Sequence, residues 1–267
     1  MTLYIKIMYL LYRQIVDNFE HIITFIKRDV AIARADTKLG FFWVIFPPLV
    51  PLTVFIGLAS LGVISRSADM PFVMFIVIGI TIYRYIAQFI KTTINVLKSE
   101  RTAIKNYAVP LVVLIFSKNA MTFFHLIFRL VIVSAVVFYY GVEVKPGWLF
   151  LPLFFIIITL FSFSIGVFIA FKNLLYKDFG KGMDMVLVYV FFVSSVIFPF
   201  PKTGVLGTIN KFNPFNTFVD STRGLFYFGI EYVDITVFGI TALYSMMFFC
   251  VACKMIHYGE TKIRSIM

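Results

Sequence analysis

"WLFLPLFFIIITLFSFSIGVFIAFK", Trp148–Lys172, holds no charged side chain before its last position. A hydrocarbon core of about 30 Å is crossed by about 20 apolar residues of α-helix, whereas a barrel strand needs only about ten in alternating pattern. The run is too long and too uniformly apolar for such a strand, so it reads as a membrane-spanning helix and sets the class as all-α. Further apolar runs, bounded by charge or by Gly and Pro, occur at 41–63, 71–97, 110–140, 183–200 and 233–256, giving six expected spans with 148–172. The bulk composition agrees. With 61% hydrophobic and only 14% charged residues, and a mean hydropathy of +0.95, the 267-residue chain lies far outside the soluble range. No internal repeat or low-complexity linker divides it, so residues 1–267 are expected to form a single membrane domain. Residues 1–40 carry charges too often to supply the apolar core of a signal peptide.

Six spans place both termini on one side. Lys and Arg are concentrated in the segments that would share that side: 1–40, 91–118, 172–184 and 254–267 hold 17, against five in 64–71, 141–148 and 200–232 together. Cytoplasmic segments carry the excess, so both termini are expected in the cytoplasm and the chain in the cytoplasmic (inner) membrane. The formal charge of +11 is then mostly a topology signal, supplemented by attraction to anionic membrane lipids. A nucleic-acid partner would need that charge on a folded polar domain, which the sequence lacks.

Residues 4–28 are patterned without spanning. Met8, Leu11, Ile15, Phe19, Ile22 and Ile26 recur at spacings of three and four, with Arg13, Asp17, Glu20, Thr24 and Arg28 opposite. The pattern predicts an amphipathic helix in the cytoplasmic interface, either a plain anchor or a gating element. Beyond it, Pro47, Pro48 and Pro51 fall early in the first span and remove backbone donors there. Freed backbone groups at membrane depth must be satisfied by protein or water, so a bent or interrupted helix is expected, lining a pathway or kinked for packing.

Enzyme chemistry finds little footing. "FGKGMD", Phe179–Asp184, lacks the upstream glycine of a phosphate-binding loop, and there is no H-E-x-x-H or G-x-S-x-G. His21, His125 and His257 are scattered, and no metal site is expected. "CVAC", Cys250–Cys253, has redox spacing but sits inside an apolar run, where small buried side chains are the simpler reading. An energy-requiring process would therefore draw on a nucleotide site, with its ATP and Mg, on another chain.

Three stretches then fall in a telling order. "FIKRDVAIARADTKLGFFWVIFPPLVPL", Phe25–Leu52, carries an RD pair, a basic residue, a T-x-L-G-x-x-W pattern and prolines after an interfacial helix. "LKSERTAIKNYAVP", Leu97–Pro110, fills the turn after the second span. "FPFPKTGVLGTINKFNPFNTFVDSTRGLFYFG", Phe198–Gly229, has an NP dipeptide followed by an Arg. Together they resemble the membrane subunits of type-2 ABC exporters that move O-antigen, capsular polysaccharide or teichoic acid. That resemblance implies a homodimeric channel driven by a separate ABC ATPase dimer, and a lipid-linked polysaccharide as cargo. It further implies that the first span helps form a lateral gate, that 98–109 docks on the ATPase as a coupling helix, with 172–184 as a second contact, and that 200–230 is an external re-entrant segment. Within that segment, Thr203–Phe212 and Asn216–Tyr227 are each helix-compatible and are separated by NPF.

Cargo with a greasy tail, phosphates and many hydroxyls calls for cations at the headgroup level and ring surfaces along the channel. Arg34 and Lys38, with Trp43, are the candidates for cargo entrance; a guanidinium matches phosphate with its forked donors, although both cations also serve as topology markers. Phe42, Phe46, Arg84, Tyr189, Phe192, Phe198 and Phe200 are candidates for the channel lining. With 34 Phe in the chain, most rings must instead face lipid or other helices. Arg84 and Arg129 are charges inside spans, which are costly and point to a protein interior or water. Arg84, beside Tyr83 and Tyr85, is expected to snorkel outward, and Arg129, one turn after His125, to pair with backbone carbonyls, a dimer mate or the cargo. Glu100, Arg101 and Lys105 are the expected polar contacts to the ATPase, in a segment that also reads as a solvated turn. Two other functions stay open: an ABC exporter subunit for a smaller amphiphile, and an intramembrane lipid-modifying enzyme, which would need clustered acid, base or metal ligands.

Overall fold

The computed structural model describes residues 2–35, 70–106, 109–176, 178–199 and 212–266, with a few isolated positions between them. Every regular element among them is helical: α1 Thr2–Asp17, α2 Phe19–Ala35, α3 Phe72–Ser99, α4 Arg101–Asn106, α5 Leu111–Tyr139, α6 Leu151–Leu175, α7 Asp178–Val193, α8 Pro214–Tyr227 and α9 Ile235–Ile266. Prolines mark the starts. Pro71 precedes α3, Pro110 precedes α5, and Pro146 opens a 3₁₀ turn, Pro146–Phe150, that leads into α6. Each occupies a place where the first helical turn has no use for the missing N–H. At the far end of α5, Gly141 adopts φ +71°, a left-handed backbone that a side chain would strain.

Among the described residues, four helices are long and apolar enough to cross a membrane: Phe72–Ser99, Leu111–Tyr139, Pro146–Leu175 and Ile235–Glu260. The 28 residues of α3 reach about 42 Å, more than a hydrocarbon core. α3 is also the axis of the bundle, packed against α5, α6, α7 and α8. Its most apolar stretch is 83% buried, against 28% for α5 and 22% for α9, whose outer faces are left for lipid.

The core falls into two clusters at opposite ends. One joins Met74, Ile78, Ile82 and Ile86 of α3 to Ile158 and Phe161 of α6 and to Phe218, Leu225 and Phe226 of α8. The other gathers Ile7 and Leu11 of α1, Ile22 of α2, Val96 and Leu97 of α3, Ile104 of α4, Leu111–Ile115 of α5, Ala170 of α6 and Ile256 of α9. The N-terminal helices, the α3–α5 turn and the end of α9, three of the basic segments grouped on one side above, thus meet at one end.

Three sequence expectations change. The amphipathic helix 4–28 is two helices broken at Asn18, whose side-chain amide donates to Gln14 O (2.9 Å). Ile7, Leu11 and Ile22 face inward on one stripe, while Met8 and Phe19 lie at its edge and turn out, 43% and 59% exposed. The expected span 183–200 starts earlier and ends earlier: α7 stops at Val193, and 194–199 form bends and turns held from α8, where Ser195 N donates to Asn216 Oδ1 (2.7 Å). At 16 residues, about 24 Å, α7 is shorter than a full crossing. In the segment expected to be external, NPF is no separator. Asn213 caps α8 by accepting from Phe215 N (3.0 Å), and Pro214 is the first helical residue. The expected span 41–63, with Pro47, Pro48 and Pro51, lies almost wholly outside the described residues, as does most of 203–211.

Candidate functional site: three polar constellations on an apolar bundle

At the end gathered around α1 and α2, four charges interlock. Arg28 of α2 donates from Nη2 to Glu100 Oε1 (2.6 Å) and from Nη1 to Oε2 (3.0 Å), a two-pronged pair. Its Nε and Nη2 also reach Asp29 Oδ1 (3.0 and 2.9 Å). Lys118 of α5 closes the ring, 2.7 Å from Glu100 Oε1 and 2.9 Å from Asp29 Oδ2. Two cations therefore bind two anions across α2, the α3–α4 corner and α5. Burial pushes the Glu100 carboxyl up, yet the hydrogen bonds from Arg28 and Lys118 outweigh it and hold Glu100 below the usual carboxylate range. The bond to Glu100 likewise raises Arg28 against the opposing effect of burial. Glu100 is only 5% exposed and faces into the protein, while Arg101 and Lys105 stand exposed on α4. Of the three expected coupling residues, two present an outer surface and one anchors the turn from inside. The RD pair at 28–29 is part of that anchor.

A neighbouring contact fixes the other turn at this end. Asn173 Oδ1 accepts from Lys98 Nζ (2.9 Å) and from Gly180 N (3.1 Å), tying the α6–α7 connection to the end of α3.

At the opposite end a single buried side chain holds the turn, α8 and α3 together. Arg223 is 3% exposed. Its Nε donates to Phe75 O (2.9 Å), its Nη2 to Val196 O (2.7 Å), and its Nη1 to Ser195 O and to Asp220 Oδ1 (3.1 Å). The guanidinium also lies 3.5 Å from the centre of the Phe75 ring. Five donors in a planar fork suit this task, since no other side chain can satisfy several carbonyls and a carboxylate at once. The sequence reading had Arg223 as one of the basic residues of the re-entrant segment, within the helix-compatible stretch Asn216–Tyr227, and missed it as an anchor. A signal was present: Phe215, Phe218, Val219, Thr222, Arg223 and Phe226 fall on one helical stripe, which places the Arg inside the apolar face.

Between the two ends, a cleft of about 430 Å³ lies among α3, α5 and α7. Arg84, Gln88 and Lys91 line it from α3, Arg129 from α5, and Leu187, Val188 and Phe191 from α7. Arg129 Nη2 donates to Gln88 Oε1 (2.9 Å), and Gln88 Nε2 meets His125 Nδ1 (2.7 Å). The partner of Arg129 is thus a glutamine on another helix, which sequence reading overlooked although it sits one turn after Arg84. Arg84, expected to snorkel outward, lies 12 residues into a 28-residue helix and lines the cleft, while its neighbours point into protein, Tyr83 donating to Leu187 O and Tyr85 bonding Thr159 (2.6 Å).

α7 carries the described channel candidates on an open face, with Tyr189 71% and Phe192 60% exposed, and Phe198 is 42% exposed in the turn beyond. Arg34 falls in the last turn of α2; its side chain, with Lys38, Phe42, Trp43, Phe46 and Phe200, lies outside the described residues.

No protein with a curated description matches this chain. A family profile does: the one described as ABC-2 type transporter spans residues 20–227, from the second N-terminal helix to the end of α8. That stretch covers more than three quarters of the sequence and contains all three polar constellations, so this apolar helical bundle belongs to the ABC-2 type transporter membrane family.

Proposed function

We propose that the chain is the channel-forming subunit of an ATP-driven exporter that moves a lipid-linked polysaccharide of the O-antigen, capsule or teichoic-acid kind across the cytoplasmic membrane. It works as a homodimer on a separate ABC ATPase dimer that carries ATP and Mg, with both termini in the cytoplasm. The observation that carries this reading is the ring-bearing surface of α7 and the following turn, where Tyr189, Phe192 and Phe198 are left uncovered beside a cleft lined by Arg84 and Arg129. Flat aromatic faces bind sugar rings without fixing their register, and fixed cations suit the phosphate that links glycan to lipid. A passage for a long hydroxyl-rich chain needs both.

The cytoplasmic end supplies the drive. Movement of the ATPase is received by the exposed face of α4 and passes through Glu100, whose bonds to Arg28 and Lys118 bind that turn to α2 and α5 as one body. The α6–α7 turn, pinned through Asn173, follows. Cargo enters where α2 leads into the proline-bearing first span, with Arg34 and Lys38 at the headgroup level and Trp43 beyond.

Expression with its cognate ATPase and glycan-synthesis enzymes tests the reading. Tyr189→Ala with Phe192→Ala is expected to reach normal membrane abundance, because both side chains are exposed, and to lower surface glycan severalfold. Unchanged surface glycan at equal abundance would remove α7 from the passage.

A further inference from the structure

We propose that the cleft between α3, α5 and α7 is a binding site for the phosphate ester of a membrane-embedded amphiphile, gripped by Arg84 and Arg129. The physical case begins with unspent donors. Arg129 is only 8% exposed, and while its Nη2 is bonded to Gln88, its Nε and Nη1 have no partner among the described residues. Gln88 meets only one of these donors: its carbonyl oxygen accepts from Nη2, and its amide nitrogen, itself a donor, is turned to His125 Nδ1. A buried donor left unpaired costs about 1–3 kcal/mol, and more when the group is charged. Such atoms in a cavity wall are expected to be bonded to something that enters the cavity.

Charge makes the same demand more strongly. Arg84 and Arg129 repel each other across the cleft, and no carboxylate is among its lining residues. The closest acid on these helices, Asp184, is taken by Lys91 at 2.8 Å, two helical turns along α3 from Arg84. Two cations in the middle third of membrane-spanning helices, without a counter-ion, are costly unless an anion joins them. The shape selects the anion. Guanidiniums present forked donors matched to phosphate oxygens. A volume of about 430 Å³ is within the range of small-ligand pockets and too small for a glycan chain. Leu187, Val188 and Phe191 give one wall an apolar surface against which a lipid tail can lie.

The shared chemistry, a phosphate ester on a hydrocarbon tail, has two sources: a resident phospholipid, or the phosphate joining cargo to its lipid carrier. Assigning the second source rests on the export reading above; the anion site itself does not.

The test uses the full-length chain purified in a neutral detergent, with bound lipid counted by native mass spectrometry. The probes are a polyprenyl phosphate, the matching uncharged polyprenol, and dioleoyl phosphatidic acid. The phosphorylated probes are expected to bind at least about tenfold more tightly than polyprenol. Arg84→Gln with Arg129→Gln is expected to erase that preference, and Arg129→Lys to reduce it in part, because charge remains while the fork is lost. Equal binding of polyprenol and polyprenyl phosphate, or an unchanged preference in a monodisperse double variant, would overturn the proposal. Should the double variant fail to fold, Arg84→Gln and Arg129→Lys decide singly: full phosphate preference in both overturns it. Preference for phosphatidic acid over polyprenyl phosphate supports the site and assigns it to a resident lipid. Surface glycan measured in cells separates the two readings: intact export by variants that have lost phosphate binding removes the cargo from the site, whereas lost export with intact binding leaves the site standing and places the defect elsewhere on the export route.

Discussion

At the scale of single residues, the end of the bundle that holds α8 depends on one guanidinium and on one glycine that makes room for it. A Cβ built on Gly79 would stand 2.7 Å from Val196 O and would collide with Arg223 Nη2. Backbone and anchor cannot both give way, so Gly79→Ala is expected to destabilise by about 1–3 kcal/mol, the range for overpacking a tight core. Arg223→Lys should cost more, since one ammonium cannot reach the carbonyls of Phe75, Ser195 and Val196 together, and each buried acceptor left bare costs about 1–3 kcal/mol. Thermal unfolding in detergent measures both. An unchanged midpoint for Gly79→Ala would show that α3 and the 194–199 turn are not locked against each other. None of this was legible from composition, because a single Arg in a segment of mixed polarity gives no sign of its depth. The stripe of Phe218, Val219, Thr222, Arg223 and Phe226, all within the helix-compatible stretch 216–227, carried the sign of its depth.

At the scale of elements, the α3–α4 corner moves with α2 and α5 because Glu100 is shared by Arg28 and Lys118. The folded carboxyl is held below its ordinary value, near 4.3, so its stabilisation is fully present above that pH and is lost as pH falls through the depressed folded value. The unfolding midpoint of the wild type is therefore expected to fall as pH drops from about 5 toward 3. Glu100→Gln should be less stable at pH 7 and should lack this component of the acid slope; parallel pH curves for the two proteins would show that the cluster does not contribute. Charge reversal of Arg101 and Lys105, on the exposed face of α4, belongs to a different class. It is expected to leave the free energy of unfolding within about 0.5 kcal/mol of wild type, as exposed substitutions usually do, while lowering ATPase-dependent export several-fold. Export at the wild-type level would return α4 to the status of a solvated turn. The sequence made α4 visible as a short charged segment between two apolar runs. It could not show that Glu100 turns inward, because that depends on Arg28, 72 residues earlier, and no periodicity reaches so far.

At the scale of the whole molecule, apolar length carried most of the reading. The spans expected at 71–97, 110–140, 148–172 and 233–256 coincide within a few residues with α3, α5, the 3₁₀ turn with α6, and the apolar part of α9, Ile235–Glu260. The expected span at 183–200 did not, since hydropathy cannot register that Ser194 and Ser195 break the helix and that the turn is held from α8. Which end of the bundle faces the cytoplasm is a separate matter, resting on the 17 to five distribution of basic residues. The packing makes that inference sharper. α1, α2, the α3–α4 corner and the last turns of α9 share one apolar cluster, so they must lie on one side whatever its orientation. Exposed positions at the two ends are therefore expected to label as two sets in a chain freed of its own cysteines. Single cysteines at Arg101 and Lys181 should react with a membrane-impermeant maleimide only from the cytoplasmic face, and those at Glu143 and Glu231 only from outside. A reversed pattern would invert the protein and place Arg34 and Lys38 where no cytoplasmic cargo can meet them. A mixed pattern, with Arg101 and Lys181 on opposite sides, would instead require the end of α3 and the α6–α7 connection to leave the membrane on different faces, against the Asn173 bridge to Lys98 and Gly180 that ties them together.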